Sequence, residues 1–253
     1  MISIRQLHKS FGPKQVLRGV NLEIGTGQSA VIIGGSGSGK SVLLKNILGL
    51  MKPDQGEIWI DDQRVDHLSR HERAAVDARM GMLFQNGALF DSLPIWENVA
   101  FADRQHKGVE EATARQIARE ALERVELGAD LLDLYPASLS GGMNKRVGLA
   151  RAIAHKPDII FFDEPTTGLD PIMTDVINHL IVECVRDLGA TTLTITHDMS
   201  SVRAIADITA FLYQGQFLWT GSQAELDDAA DPFLRQFISG AAEGPIEIDG
   251  TTH

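Results

Sequence analysis

Short apolar runs alternate with polar or amphipathic stretches along the chain and predict an α/β fold. Apolar and polar positions alternate from Met1 to Ile24, which is typical of strands, and we expect these strands to form an antiparallel β edge. Further apolar runs at 29–33, 159–162 and 191–196 are separated by helical stretches such as 172–188. This pattern favours a mostly parallel core sheet that is covered by helices.

The middle of the chain lacks this strand pattern. Strand signals are absent between about Gln85 and Ser140, and the stretch from Glu110 to Leu127 has helical periodicity with many charges. We therefore predict an inserted α-helical subdomain. The expected organisation is a core of residues 1–84 and 155–232, a helical subdomain of residues 85–154, and a C-terminal extension of residues 233–253.

Composition and charge narrow the classes of function. The chain has 253 residues, enough for a self-sufficient hydrophobic core, and its 23 Lys and Arg against 34 Asp and Glu give a net charge of −11. So acidic a protein repels nucleic acid backbones, and we expect no nucleic acid ligand. The single cysteine, Cys184, cannot form an internal disulfide, and we find neither a signal peptide nor an apolar run of about 18 residues. These features predict a protein of the reducing cytoplasm without a membrane-spanning helix.

A glycine-rich segment directly follows the apolar run 29–33. Residues 34–41 fit the pattern G-x-x-x-x-G-K-[ST], and the helix-like residues 42–48 come next. Glycines let backbone N–H groups surround a polyphosphate, the lysine bridges the terminal phosphates, and the serine hydroxyl can ligate Mg²⁺. A flexible linker is the alternative, but linkers do not join an apolar strand to an apolar helix. The segment predicts phosphate binding by Gly34, Gly35, Ser36, Gly37, Ser38, Gly39, Lys40 and Ser41.

Two carboxylates follow the apolar run 159–162. They stand at the expected carboxyl end of a core strand, where open α/β sheets place their ligands. In isolation, such a pair of carboxylates is more often part of a polar loop. Because a phosphate-binding segment lies upstream, we favour a catalytic role here. We expect Asp163 to hold Mg²⁺ through water and Glu164 to accept a proton from the attacking water.

A third motif opens the helix-like stretch 144–154. The run Leu139-Ser140-Gly141-Gly142-Met143 resembles the signature motif of ATP-binding cassette (ABC) ATPases, although a capped helix start would explain it in isolation. Nearly the whole chain shares the order of motifs in that family. The matching positions are Phe11 at the adenine-stacking aromatic, Gln85 at the Q-loop, Gly168-Leu169-Asp170 at the D-loop and His197 at the switch histidine.

This resemblance implies a P-loop NTPase fold of the ABC type and hydrolysis of ATP with Mg²⁺. It adds Phe11, Val16 and Val42 to the expected ATP contacts. The catalytic residues that it implies are Lys40, Gln85, Glu164 and His197, and the Mg²⁺ ligands are Ser41, Gln85 and Asp163.

The resemblance also implies that two copies of the chain work together. In related ATPases the signature helix faces away from the phosphate loop of its own chain. A homodimer would therefore enclose two ATP molecules at a two-fold interface. The residues expected to contact the ATP of the partner chain are Ser140, Gly141, Gly142 and Asp170.

An apolar turn beside the Q-loop is the expected contact with a membrane permease. In related ATPases this region receives a coupling helix, and loop aromatics next to polar residues often mark contact surfaces. The residues that we expect to be exposed there are Leu89, Phe90, Leu93 and Trp96. Packing inside the helical subdomain is the alternative.

The same region resembles one group within the family. Residues 84–93 and Met143, which replaces the usual glutamine, are similar to ATPases of Mla-type phospholipid transport systems. That resemblance implies transport between the inner and outer bacterial membranes and a location at the cytoplasmic face of the inner membrane. It also implies a permease, an MCE-domain lipid-binding protein and a small STAS-domain protein as partners, and a C-terminal extension that reaches the neighbouring ATPase.

Three other functions share some of these motifs. The ATPase of a polar-solute importer, such as an amino-acid system, has the same nucleotide motifs and differs in its partner. ABC-type ATPases of DNA repair or translation generally need basic surfaces or large insertions, which this acidic chain lacks. A nucleotide-dependent switch without transport would hydrolyse ATP without responding to a membrane partner.

Overall fold

The N-terminal strands form an antiparallel sheet in the computed structural model, which describes residues 1–246. Strand β1 (Ile2–Phe11) pairs on one side with β2 (Lys14–Ile24) and on the other with β4 (Gln55–Ile60). The short strand β5 (Gln63–Arg64) completes the order β2-β1-β4-β5. The predicted antiparallel edge is therefore a separate four-stranded sheet.

Six strands form the core sheet in the order β10-β9-β3-β8-β7-β6. Every neighbouring pair is parallel except β9 and β10, which are antiparallel. This arrangement confirms the predicted α/β class. The strands are β3 (Ser29–Ile33), β6 (Met80–Leu83), β7 (Ile159–Asp163), β8 (Thr191–Ile195), β9 (Ile208–Tyr213) and β10 (Gln216–Ser222).

Ten α-helices occur within the described residues. Those that accompany the two sheets are α1 (Lys40–Ile47), α2 (Arg70–Asp77), α7 (Pro171–Leu188), α8 (Met199–Ile205), α9 (Gln223–Leu226) and α10 (Pro232–Ser239). The helices between residues 85 and 154 are α3 (Ile95–Val99), α4 (Phe101–Lys107), α5 (Glu111–Arg124) and α6 (Gly141–Ile153).

The hydrophobic core has two parts. One part includes Val31 and Phe162 of the core sheet together with Leu122 and Val147 of the helical region. The other part lies between the core sheet and the antiparallel sheet and includes Ile32 and Ile4. Because α6 packs against β6, the helical region shares a continuous core with one face of the sheet.

The described part of the predicted C-terminal extension consists of α10 and the turn after it. Asp231 caps the N-terminus of α10, and the side chain of Gln236 accepts from the amide of Ile246 at 2.6 Å. Rings of this helix pack on strand β9, with Phe237 5.3 Å from Phe211 between centroids. The last seven residues, 247–253, lie outside the described part of the chain.

Residues 1–246 contain no helix with both the length and the apolar character that crossing a membrane requires.

Candidate functional site

The phosphate-binding segment connects β3 to α1 at the carboxyl end of the core sheet. Two of its glycines lie where a side chain cannot fit. A Cβ atom on Gly34 would lie 2.2 Å from the Leu212 carbonyl oxygen, and Gly39, with φ of 113°, lies against Val16 and Leu17. The loop therefore approaches β9 and β2 closely, and its backbone stays accessible for a ligand at the N-terminus of α1.

Lys40 begins helix α1 and turns back over the loop. Its Nζ donates to the carbonyl oxygens of Gly34 at 2.6 Å and Gly35 at 3.0 Å. Burial lowers the pKa of Lys40, and the negative charges of Glu164 and Asp163 offset part of that effect. The ammonium group thus lies between the glycine loop and the two carboxylates.

Glu164 and His197 meet because they follow neighbouring strands. Asp163 of β7 pairs with Ile195 of β8, so the residues just beyond these positions leave the sheet at the same edge. His197 Nδ1 lies 2.9 Å from Glu164 Oε1 and 2.8 Å from Oε2, and Thr167 Oγ1 donates to Oε2 at 2.9 Å. Glu164 adopts a left-handed backbone conformation with φ of 49°, which is uncommon for a residue other than glycine.

Asp163 differs from Glu164 in its surroundings. Burial raises the pKa of the Asp163 carboxyl, the nearby charge of Glu164 raises it further, and the positive charges of Lys40, Lys45 and Lys145 oppose both effects. A group that lowers the local negative charge, such as a divalent cation, would stabilise its ionised form.

These residues line one cavity of about 460 Å³. Its walls are formed by Gly34, Gly35, Ser36, Gly37, Lys40, Ser41, Gln85, Asp163, Glu164, Ile195, His197 and Phe237. The structure thus brings together most of the predicted phosphate, metal and catalytic residues. Sequence reasoning missed Ile195 and Phe237 as wall residues, and Phe237 reaches this cavity from the C-terminal helix.

A second cavity of about 350 Å³ adjoins the first along the glycine loop. It is lined by Phe11, Lys14, Val16, Gly37, Ser38, Gly39, Lys40, Ser41 and Val42. Phe11 is 48% exposed, so one face of its ring is free to stack on a flat group such as a base. The two cavities share Gly37, Lys40 and Ser41, which is the arrangement that an elongated nucleotide requires.

The donor set around Ser41 suits Mg²⁺. A hydroxyl from Ser41, an amide oxygen from Gln85 and a carboxylate from Asp163 line the same cavity, and hard oxygen ligands are those that Mg²⁺ prefers. Residues 1–246 contain no group of three His, Cys, Asp or Glu side chains that could hold a metal unaided. Phosphate oxygens and water would have to supply the remaining ligands, as is usual for Mg²⁺.

The signature residues lie away from both nucleotide cavities of their own chain. Ser140 caps α6, and its Oγ accepts from the Met143 amide at 3.3 Å. Gly141 lines a different cleft of about 250 Å³ together with Gly168 and Leu169. Asp170 caps α7 through bonds to the amides of residues 172 and 173. Neither Ser140, Gly141, Gly142 nor Asp170 lines either nucleotide cavity.

One residue of the expected permease turn is not exposed. Trp96 is only 6% exposed: it lies in α3, and the guanidinium groups of Arg104 and Arg115 lie over its ring, 5.3 Å and 4.9 Å from the centroid. The expectation that Trp96 is exposed was therefore wrong. Phe90 is 43% exposed, and Leu89 and Leu93 are half-buried.

An apolar groove of about 400 Å³ extends from this turn along β6. Its main apolar walls are Met80, Met82, Phe84, Phe90 and Phe101, and Arg151 forms one side. Sequence reasoning did not identify Met80 and Met82 as walls of this groove. The alternation in Met80–Leu83, whose second and fourth residues are buried, was the signal that could have found them.

Comparisons with known proteins agree with this geometry. The ABC transporter family model matches residues 17–167. The intermembrane phospholipid transport system ATP-binding protein MlaF of Haemophilus influenzae is 41% identical over 249 residues, covering 98% of this chain and 94% of that protein. The probable ribonucleotide transport ATP-binding protein mkl of Mycobacterium leprae is 39% identical over 245 residues, covering 97% of this chain and 70% of that protein.

A solved structure shows the same fold. The dimeric post-hydrolysis state of an ATP-binding cassette bound to ADP and Pi superimposes with a TM-score of 0.81 at 31% identity, covering 88% of this chain and 98% of that chain. The protein shares its cassette architecture and most of its length with these relatives. It is an ATPase, and it belongs to the ABC transporter family.

Proposed function

We propose that this protein is the ATP-hydrolysing subunit of a transporter that moves phospholipids between the inner and outer membranes of a bacterium. The similarity to MlaF of H. influenzae carries this proposal, because it extends over 94% of that protein. The mycobacterial relative with ribonucleotide transport in its name is matched over only 70% of its length. A polar-solute importer would share the nucleotide cavity and differ in its membrane partner.

The residues of the cavity would have separate roles in ATP hydrolysis. Bound Mg²⁺ would neutralise phosphate charge, and Ser41, Gln85 and Asp163 would hold it. Lys40 would contact the terminal phosphates from the start of α1. Glu164 would take a proton from the attacking water, and His197 would orient the carboxylate through the bond that joins them.

A homodimer would complete this site. Ser140 caps the N-terminus of α6, which favours an anion, yet that N-terminus lies outside the nucleotide cavities of its own chain. A second copy could bring Ser140, Gly141 and Gly142 to the terminal phosphate, with Asp170 beside them. Loss of that phosphate on hydrolysis would weaken the contact and release the two copies.

A permease would attach the dimer to the membrane. The groove along β6 and the exposed ring of Phe90 offer an apolar surface to a helix of a membrane subunit. Leu89 and Leu93 flank that surface. An MCE-domain protein and a small STAS-domain protein would be further partners, and the ATPase would lie at the cytoplasmic face of the inner membrane.

The test is purification of the protein together with the membrane subunits with which it is co-produced. We expect the complex to contain extractable phospholipid and to hydrolyse ATP faster in proteoliposomes than the isolated subunit does in solution. A permease that instead co-purifies with a soluble solute receptor, and holds no phospholipid, would contradict the proposal and favour a polar-solute importer.

A further inference from the structure

Lys145 is a buried lysine whose role the nucleotide motifs do not explain. It lies on α6, five residues after Ser140, and is only 5% exposed. Lysine is seldom buried unless its charge is matched. Its side chain lies beside the cleft between the start of α6 and the loop that carries Gly168 and Leu169.

The ammonium group contacts two catalytic segments at once. Nζ donates to the carbonyl oxygen of Gln85 and, at 3.2 Å, to that of Glu164. Leu83 of β6 pairs with Phe162 of β7, so Gln85 and Glu164 each lie two residues beyond a paired position. The two carbonyl groups therefore leave the sheet at the same level, and one cation reaches both.

The contact with Glu164 acts on a constrained peptide. Glu164 has a left-handed backbone conformation, and its amide donates to the Ile195 carbonyl oxygen at 2.8 Å. Its own carbonyl oxygen accepts from Lys145 and from the Thr167 amide at 3.3 Å. Lys145 thus helps to fix the backbone from which the carboxylate reaches His197.

We propose that Lys145 is a positioning residue for ATP hydrolysis, which couples the position of helix α6 to the carboxylate of Glu164 and to the Q-loop through these two carbonyl groups. The inference rests on the proposed role of Glu164. When α6 moves, Lys145 moves with it, so the helix that would contact the partner chain's nucleotide in the proposed dimer would also set the geometry of its own hydrolytic site. A displacement of about 1 Å at such a site costs on the order of a hundredfold in rate.

Two substitutions separate the hydrogen bonds from the charge. Lys145→Met keeps most of the length of the unbranched side chain and removes its donors, whereas Lys145→Gln keeps an N–H donor and removes the charge. Lys156→Met is the matched control, because Lys156 is an exposed lysine just after the same helix. The kcat and KM for ATP and the melting temperature of each variant are measured in the full chain and in the purified complex.

We expect Lys145→Met to lower kcat by about tenfold or more while KM for ATP changes by less than about twofold, because the ATP contacts at 34–42 are untouched. Lys145→Gln should recover part of kcat. A Lys145→Met variant with the kcat of the Lys156→Met control would overturn the inference. So would a Lys145→Gln variant as slow as Lys145→Met with the same loss of melting temperature, since that pattern indicates a purely structural role.

The kcat and KM ratios between these variants compare ATP hydrolysis alone and do not depend on lipid transport. If the complex holds no phospholipid, the transport proposal fails and the effect of Lys145 still stands. If instead Glu164→Gln hydrolyses ATP normally, the role of Glu164 fails and the inference about Lys145 fails with it.

Discussion

Asn98 shapes the turn that carries the proposed permease contact. Its side chain is fully buried, its Oδ1 accepts from the Phe90 amide at 2.7 Å, and its Nδ2 donates to the carbonyl oxygens of Leu93 at 2.9 Å and Phe90 at 3.1 Å. Asn98→Asp keeps the shape and the acceptor. It replaces the donor with a second oxygen that faces carbonyl groups, so we expect the turn to be destabilised.

The magnitude follows from those bonds. The Phe90 carbonyl still accepts from the Leu93 amide at 3.0 Å. The carbonyl that mainly loses its hydrogen-bond donor is therefore that of Leu93. An unpaired buried acceptor costs about 1–3 kcal/mol and a lost hydrogen bond about 1 kcal/mol, which gives an expected loss of roughly 2–4 kcal/mol in unfolding free energy.

The loss of stability caused by Asn98→Asp should depend on pH. Burial raises the pKa of the introduced carboxyl above its value in the unfolded chain, so the folded state binds the proton more tightly. Stability therefore falls as the pH rises from the unfolded pKa, about 4, to the folded pKa. The protonated carboxyl also supplies one O–H donor. We expect Asn98→Asp to lie closest to the wild type near pH 5 and furthest from it at pH 8.

Urea unfolding at pH 5 and pH 8 measures this difference. Gln105→Glu is the control, because it adds the same charge at an exposed position of the neighbouring helix α4 and should change stability by no more than about 0.5 kcal/mol. ATP binding by folded Asn98→Asp should equal that of the wild type, since the nucleotide cavities lie elsewhere, while stimulation by the permease should fall. Equal stability of Asn98→Asp and the wild type at pH 8 would refute the reasoning.

Three further predictions concern the nucleotide cavity and the core. Glu164→Gln keeps the size of the side chain and removes the proposed base, so ATP turnover should fall by about a hundredfold or more. An ATP-bound dimer should then accumulate and be seen by size-exclusion chromatography. Normal turnover would exclude Glu164 as the base. Burial raises the pKa of the Cys184 thiol to about 11, so a thiol reagent at pH 8 should modify it rapidly only after the protein is unfolded. Fast modification of the folded protein would contradict the buried position of Cys184. Phe237→Ala should raise KM for ATP more than Phe233→Ala, because only Phe237 lines the cavity; equal KM values would show that this wall does not contact ATP.

The nucleotide-binding elements could be predicted because each one follows a strand within a short stretch of sequence. The glycine loop lies between β3 and α1, and the carboxylates come at the end of β7. Glycine at 34 and 39 also fits the structure, since a Cβ atom on Gly34 would clash with the Leu212 carbonyl oxygen and Gly39 has a φ of 113°. Parallel strands then bring their carboxyl ends to one edge of the sheet. This follows from the strand topology, so it could be predicted without knowing any side-chain contact.

The permease turn was harder to predict, because exposure there depends on distant helices. Trp96 looks like a loop aromatic in the sequence, yet it lies in the short helix α3, and the guanidinium groups that cover it come from α4 and α5. Asn98 likewise gave no signal, since an asparagine inside an apolar run is equally compatible with a solvated position. Only the folded turn shows that its side chain replaces missing backbone partners.

The parts that sequence reasoning missed are those that join separate elements. Phe237 reaches the phosphate cavity across β9, and Lys145 reaches two strand ends from a helix in another region of the chain. Both contacts depend on tertiary packing, which no local pattern encodes. Ser140 lies outside its own nucleotide cavities while Lys145 on the same helix contacts Glu164, so in the proposed dimer this helix would border two sites, its own and that of a partner. In a two-fold dimer, ATP bound in one copy would therefore act on hydrolysis in the other through α6.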